Sequence, residues 1–168
     1  MPITLKRYYG KGHLHFVTFS CYERRALLQA EDSREIVVHE LGKIRDEMQF
    51  LLAGYVVMPE HVHLLIGEPL QGTPSNALQK LKLRTSLKLR KSATNSFAEF
   101  EQLPRAFWQT RFYDANIYST EKKEEKLEYM HANPVSRGLV NHPRDWPWSS
   151  WSFYQGGSNY LLRMDFQE

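Results

Sequence analysis

Tyr55-Val56-Val57-Met58-Pro59-Glu60-His61-Val62-His63-Leu64-Leu65 decides the reading of this chain. Phe50 to Met58 is a short apolar run of the kind that forms a buried strand. His61 to Gly67 is a second. Pro59-Glu60 separates them as a tight turn, so the pair predicts a β-hairpin. Residues two apart on a strand project from one face. His61 and His63 therefore point the same way, and Val62 enters the opposite layer. Two neutral imidazoles at that spacing can share one divalent cation. A pair of surface histidines on a hairpin is the plainer alternative.

Working outward, His15 to Tyr22 is rich in β-branched and aromatic residues and predicts a strand. Asp32 and Glu35 resemble a capping box. Ile36, Val37, Leu41, Ile44 and Met48 follow them at helical spacing. Thr73-Pro74-Ser75 opens a second helix to about Ser92, with Leu78 and Leu81 on its buried side. Ser92 to Leu103 reads as a loop, and Phe107 to Ile117 as another strand. Thr120 caps a last helix, with Glu121 and Glu124 in its first turn. That helix is expected to stop near Asn133, because Pro134 disfavours helical geometry in the residue before it.

The order strand, helix, strand, strand, helix, strand matches a ferredoxin-like split βαβ arrangement of the α+β class. It predicts an antiparallel sheet with helices on one face. The final helix and a Trp-rich tail are added to it. Trp146, Pro147, Trp148 and Trp151 crowd the tail without any clear period. Such a tail either closes over the sheet as core or joins a binding surface. A chain of 168 residues predicts one domain, with a core over about 13–140 and the tail over about 141–168.

A single cysteine, Cys21, excludes an intramolecular disulfide and fits a reducing compartment. Met1 to Gly10 has no apolar stretch behind it that would make a signal peptide. Phe50 to Met58 is too short to span a bilayer. A cytoplasmic protein is expected, with no membrane partner. Gly-rich phosphate loops and the serine-hydrolase elbow are both missing, which gives nucleotide use and that hydrolase chemistry no support. The net charge of +3 says little, but its distribution says more. No acidic residue lies between Glu68 and Glu99. Lys80, Lys82, Arg84, Lys88, Arg90 and Lys91 all fall in that gap, a footprint that suits a phosphate backbone. Arg24, Arg25, Arg105 and Arg111 are secondary candidates. A solvated helix face would look similar.

Tyr129 and Asn133 are four apart on the last helix, hence on one face, and Glu125 shares that face one turn earlier. His131 lies about 200° round the helix from Tyr129 and should face elsewhere. A phenol is a competent nucleophile toward a phosphodiester and would leave a covalent phosphotyrosine. Asn133 is suited to give a metal an oxygen ligand beside His61 and His63, leaving positions open for phosphate. The plainer role for Tyr129 is a core tyrosine with a satisfied hydroxyl.

These residues resemble the HUH single-tyrosine transposases of the insertion-sequence type, and among them the REP-associated tyrosine transposases. The likeness is carried by His15-Phe16-Val17-Thr18-Phe19 with Arg24-Arg25, then by Tyr55 to Leu65. It continues in Phe107-Trp108-Gln109, Phe112-Tyr113-Asp114 and Tyr129-Met130-His131-Ala132-Asn133-Pro134-Val135. Arg137-Gly138-Leu139-Val140 and Asp145 to Ser150 complete it. The resemblance implies a ferredoxin-like fold, one Mg²⁺ or Mn²⁺ ion and action on single-stranded DNA. It implies Tyr129 joined to the 5′ phosphate side, with release of a 3′ hydroxyl. It also implies binding of DNA hairpins of the repetitive extragenic palindrome (REP) type, and association with the nucleoid when DNA is bound. A monomer and a homodimer both remain open. Two other readings stand beside it. One is a non-catalytic hairpin-binding protein that kept the fold. The other is a metal-dependent hydrolase that uses water, for which Glu60 is the one acidic residue adjacent to His61.

Overall fold

Alternating apolar residues build a sheet whose two faces serve different ends. The computed structural model describes residues 10, 12–93 and 104–165. Its main elements are β1 (Leu14–Ser20), α1 (Glu31–Met48), β2 (Leu52–Val57), β3 (His61–Ile66), α2 (Pro74–Ala93), β4 (Tyr113–Ile117), α3 (Thr120–Ser136) and the short α4 (Trp151–Tyr154). The sheet order is β2-β3-β1-β4 and every pairing is antiparallel. β3 thus lies between β1 and β2, and β1 lies between β3 and β4. These are the two interleaved crossovers of a split βαβ fold, as the order of elements predicts.

Register follows from the pairings. His63 sits opposite Thr18 of β1 and Val56 of β2, and His61 sits opposite Ser20. Directly paired residues share a face, so Phe16, Thr18, His61, His63 and Val56 form one surface. Phe19 belongs to the other. There Trp108 packs on it with ring centroids 4.9 Å apart, and Lys82 of α2 reaches 5.8 Å from its centroid. Trp108 also donates its Nε1–H to Thr85 of α2 at 3.0 Å. α1 packs beside α2, burying Val37, Leu41, Ile44 and Met48 at helical spacing. It ends at Gln49, whose left-handed backbone lets its N–H bond to Arg45.

α3 covers the histidine face. Gly54 of β2 makes this possible. A Cβ there would lie 2.5 Å from Leu127 and 2.8 Å from Met130. Ser119 caps α3 by accepting from the Lys122 N–H. Thr120 is therefore the first helical residue rather than the cap. Pro134 lies inside α3, which runs on to Ser136 instead of stopping at Asn133. The missing proline N–H costs one bond near the helix end, and a Schellman closure satisfies the carbonyls around it. Gly138 takes φ of 73° and bonds to Val135, while Leu139 bonds to Pro134.

Other expectations needed correction. The cap of α1 is Ala30, with no side-chain bond, so Asp32 and Glu35 close no capping box. The strand expected over 107–117 shortens to Tyr113–Ile117, and Trp108 makes only an isolated bridge to Cys21. α2 extends through Ala93, and most of the loop expected over 92–103 lies outside the described residues. The tail closes over the edge of the sheet. The Val57 N–H bonds to Trp148, the Ser150 N–H to Tyr55, and Trp146 Nε1 to the Val57 carbonyl at 3.0 Å. Arg34 stacks on the Trp148 ring at 3.9 Å. The tail thereby caps an edge strand that would otherwise expose its backbone.

His15 is fully buried, with Nδ1 2.8 Å from Asp114 and Nε2 3.3 Å from Glu68. Burial acts to depress its pKa, but the two carboxylates outweigh it and hold the pKa above the ordinary 6.5. Their stabilising contribution is complete below that ordinary value and is lost as pH rises through the raised one. His15→Gln should therefore cost more stability near pH ~6 than near pH ~9, read from urea midpoints at each pH. Gly54→Val should destabilise the fold by about 1–3 kcal/mol, because its methyls meet Leu127 and Met130. The same urea titration measures it.

Candidate active site

The hairpin turn delivers His61 and His63 onto the face beneath α3, and both are buried. Their Nε2 atoms stand 3.0 Å apart. Each ring is held through its other nitrogen. His61 Nδ1 lies 3.0 Å from Glu60 Oε1, and His63 Nδ1 lies 2.7 Å from Thr18 Oγ1. A carboxylate can only accept, so His61 donates from Nδ1 and leaves the Nε2 lone pair facing His63. Burial opposes the ionisation of Glu60, yet Arg137 and His61 outweigh it and keep its carboxyl below the usual range. Burial also depresses His61. It depresses His63 to about 3, helped by His61, Arg24 and Lys126. Both rings are neutral at ordinary pH.

Two facing imidazole nitrogens 3.0 Å apart have two uses. Without a cation, one must donate a hydrogen bond to the other. With one, both lone pairs point at it: nitrogens about 2.1 Å from a shared ion, at right angles, are about 3 Å apart. Outer-nitrogen bonds to a carboxylate and a hydroxyl are the usual means of orienting metal-binding histidines. Asn133 adds a further mark. It is buried on α3, and its Oδ1 has no hydrogen-bond partner among the described residues. An orphaned amide oxygen is costly unless something accepts it as a ligand. Two neutral imidazoles with facing nitrogens suit a divalent ion, and an amide oxygen is a donor of the kind that would add to its shell. Among the described residues no group of three or more His, Cys, Asp or Glu forms an alternative metal site.

Tyr129 meets this site from above. Its ring centroid is 5.4 Å from that of His63 and 6.3 Å from that of Phe16, and the residue is 52% exposed. A phenol in that position is both near the histidines and open to a large substrate. The core role for Tyr129 does not fit that exposure. Lys126, one turn earlier, places its Nζ 4.7 Å over the Phe16 ring. His131 faces away, bonded to Ser150 Oγ at 2.8 Å, with burial pushing its pKa down to about 4. Glu125 is solvent-facing and pairs with Lys122 at 3.0 Å.

The basic residues divide. Arg84 makes two 2.6 Å bonds to Glu47 of α1, and Lys80 pairs with the same carboxylate at 2.9 Å. Lys88 pairs with Glu40. Lys82 donates to the Gln109 carbonyl, and Arg90 to those of Pro104 and Arg105. Much of the α2 charge is thus shared with acidic groups that sequence proximity alone does not reveal. Arg25, Lys91, Arg105 and Arg111 are exposed. Arg24 is at the site itself, 3.9 Å from Glu60, after a turn in which Glu23 and Arg24 both adopt left-handed φ. Thr18, Glu60 as a ring-orienting group, Lys126 and Arg137 were not identified as site residues from the sequence. The adjacency of Glu60 to His61 signalled one of them, and Thr18 and Arg137 lie within segments that carry the family likeness.

Comparison with known proteins bears on the family and the fold. A REP-associated tyrosine transposase of Escherichia coli K12 is 26% identical over 161 residues, covering 96% of this chain and 88% of that protein. A Haemophilus influenzae relative is 27% identical over 149 residues, covering 86% of this chain and 83% of its own. The solved structure of a REP-associated tyrosine transposase bound to a REP hairpin superposes with a TM-score of 0.73 at 23% identity. It spans 98% of this chain and 92% of that one, and so shares the fold. The family model described as "Transposase IS200 like" matches residues 8–133, a stretch that runs from before β1 through His61, His63 and Tyr129 to Asn133. On that match the chain belongs to the IS200-like transposase family.

Proposed function

We propose that this protein cleaves single-stranded DNA beside a REP-type hairpin and transfers the strand through a 5′-phosphotyrosine on Tyr129. One observation carries the reading: an exposed phenol stands 5.4 Å, ring to ring, from a buried histidine whose Nε2 faces that of a second. The name of the Escherichia coli relative and the hairpin in the solved complex support the choice of DNA.

In this mechanism His61, His63 and Asn133 would hold one Mg²⁺ or Mn²⁺ ion, which when bound would neutralise charge on the non-bridging phosphate oxygens. The Tyr129 oxygen attacks phosphorus and forms the new P–O bond. The bond to the 3′ oxygen breaks, and that oxygen leaves as a hydroxyl, taking up the proton that the phenol gives to solvent. An incoming 3′ hydroxyl reverses the step and releases Tyr129, so no bond energy is lost to hydrolysis. Thr18 and Glu60 keep the histidine rings aimed. Phe16 supports both Tyr129 and Lys126, and the Lys126 ammonium is placed to meet a phosphate that reaches the phenol.

The hairpin stem is assigned to α2, through Lys80, Lys82, Arg84, Lys88, Arg90 and Lys91, with Arg24, Arg25 and Arg111 as secondary DNA contacts. Phosphate contacts of this kind give salt-dependent affinity with little sequence information.

Tyr129→Phe should abolish the covalent protein–DNA adduct on a hairpin-flanked oligonucleotide with Mn²⁺, while hairpin affinity stays within about twofold. Denaturing gels and fluorescence anisotropy read the two quantities, and an adduct surviving in the variant would move the nucleophile to another residue. Glu47→Gln should free Lys80 and Arg84, tightening hairpin binding and steepening its salt dependence. Unchanged binding would take the stem off α2.

A further inference from the structure

One carboxylate oxygen holds the histidine strand and the tyrosine helix together. Glu60 is 7% exposed, in the turn between β2 and β3. Its Oε1 lies 3.0 Å from His61 Nδ1 and 2.5 Å from Arg137 Nη1. Arg137 is the C-cap of α3, eight residues beyond Tyr129, or about 12 Å along the axis. On the near side of Tyr129, Lys126 rests on Phe16 of β1. The helix is therefore tied to the sheet on both sides of the phenol, and its far tie runs through the group that orients His61.

We propose that Glu60 and Arg137 act as a positioning clamp, setting the His61 ring for its ligand and registering the Tyr129 helix against it, so that ion binding and nucleophile placement are coupled. The inference rests on the strand-transfer reading above but concerns residues that touch neither DNA nor ion. Its physical basis is geometric. A single oxygen shared by an imidazole N–H and a guanidinium N–H cannot lose one partner without changing its hold on the other. Arg24, 3.9 Å away, is too long a contact to replace Arg137.

The test uses the full chain as wild type, Glu60→Gln, Arg137→Gln, Arg137→Lys and the Glu60→Gln/Arg137→Gln double variant. Mn²⁺ affinity is measured by electron paramagnetic resonance without DNA. Single-turnover adduct formation is measured at saturating Mn²⁺ and saturating hairpin-flanked oligonucleotide. Glu60→Gln should weaken Mn²⁺ binding about 10–100-fold. Arg137→Gln should slow adduct formation at saturating ion at least about tenfold, with partial rescue in Arg137→Lys. The double variant should be no slower than the slower single variant. Wild-type Mn²⁺ affinity in Glu60→Gln, a wild-type rate in Arg137→Gln, or multiplicative losses in the double variant would each overturn the clamp. Lack of rescue by lysine, with both arginine variants folded by near-ultraviolet circular dichroism, would do so too. If the wild type binds Mn²⁺ but forms no adduct, the strand-transfer reading fails, and the Glu60 half is still judged by its ion affinity. If the wild type binds no Mn²⁺, both fall.

Discussion

Two imidazoles two residues apart meet only if their strand cannot slip. A shift of one residue would carry both rings to the other side of the sheet, among α1 and α2. β3 is held against that slip from both sides, by β1 and by β2, and Val62 between the histidines is fully buried in the opposite layer. The geometry of the candidate site depends on this register. Thr18 reaches His63 because it is its direct partner on β1. Phe16, two residues back, is the surface on which Tyr129 and Lys126 rest.

The sheet divides the labour between its faces. One face is a conventional apolar layer with α1 and α2. The other holds polar groups under α3, which approaches closely only because Gly54 has no side chain. Burying neutral histidines is affordable when each has a hydrogen-bond partner on its outer nitrogen. Glu60 and Thr18 supply those partners. The Asn133 oxygen, in the same helix as Tyr129, is one of several buried polar atoms without a hydrogen-bond partner among the described residues.

The ion pairs between α1 and α2 temper the electrostatic argument from charge runs. Lys80, Arg84 and Lys88 look like an unopposed basic block along the chain, yet Glu47 and Glu40 stand against them in space. A charged surface is a property of neighbours in three dimensions, and the neighbours here come from a helix some 40 residues earlier. A phosphate backbone brought to α2 would have to compete with those carboxylates for the same cations.

Local chemistry was enough to determine the hairpin, the shared face of His61 and His63, the helical stacking of Tyr129 with Asn133 and the order of elements that specifies a split βαβ sheet. These follow from periods of 2.0 and 3.6 and from turn residues, which act over a few positions. Resemblance to known transposases added the expected chemistry. Helix ends were read less well. Pro134 looked like a stop, but Gly138 and Leu139 close the helix past it through backbone bonds that only the folded geometry reveals. Tertiary structure alone decided that the Trp-rich tail caps the edge of β2 and that Tyr129 arrives beside His63. It also showed that Arg137 reaches back 77 residues to Glu60. Such contacts join segments with no local relation, so they are specified by how the layers pack and leave no period in the chain.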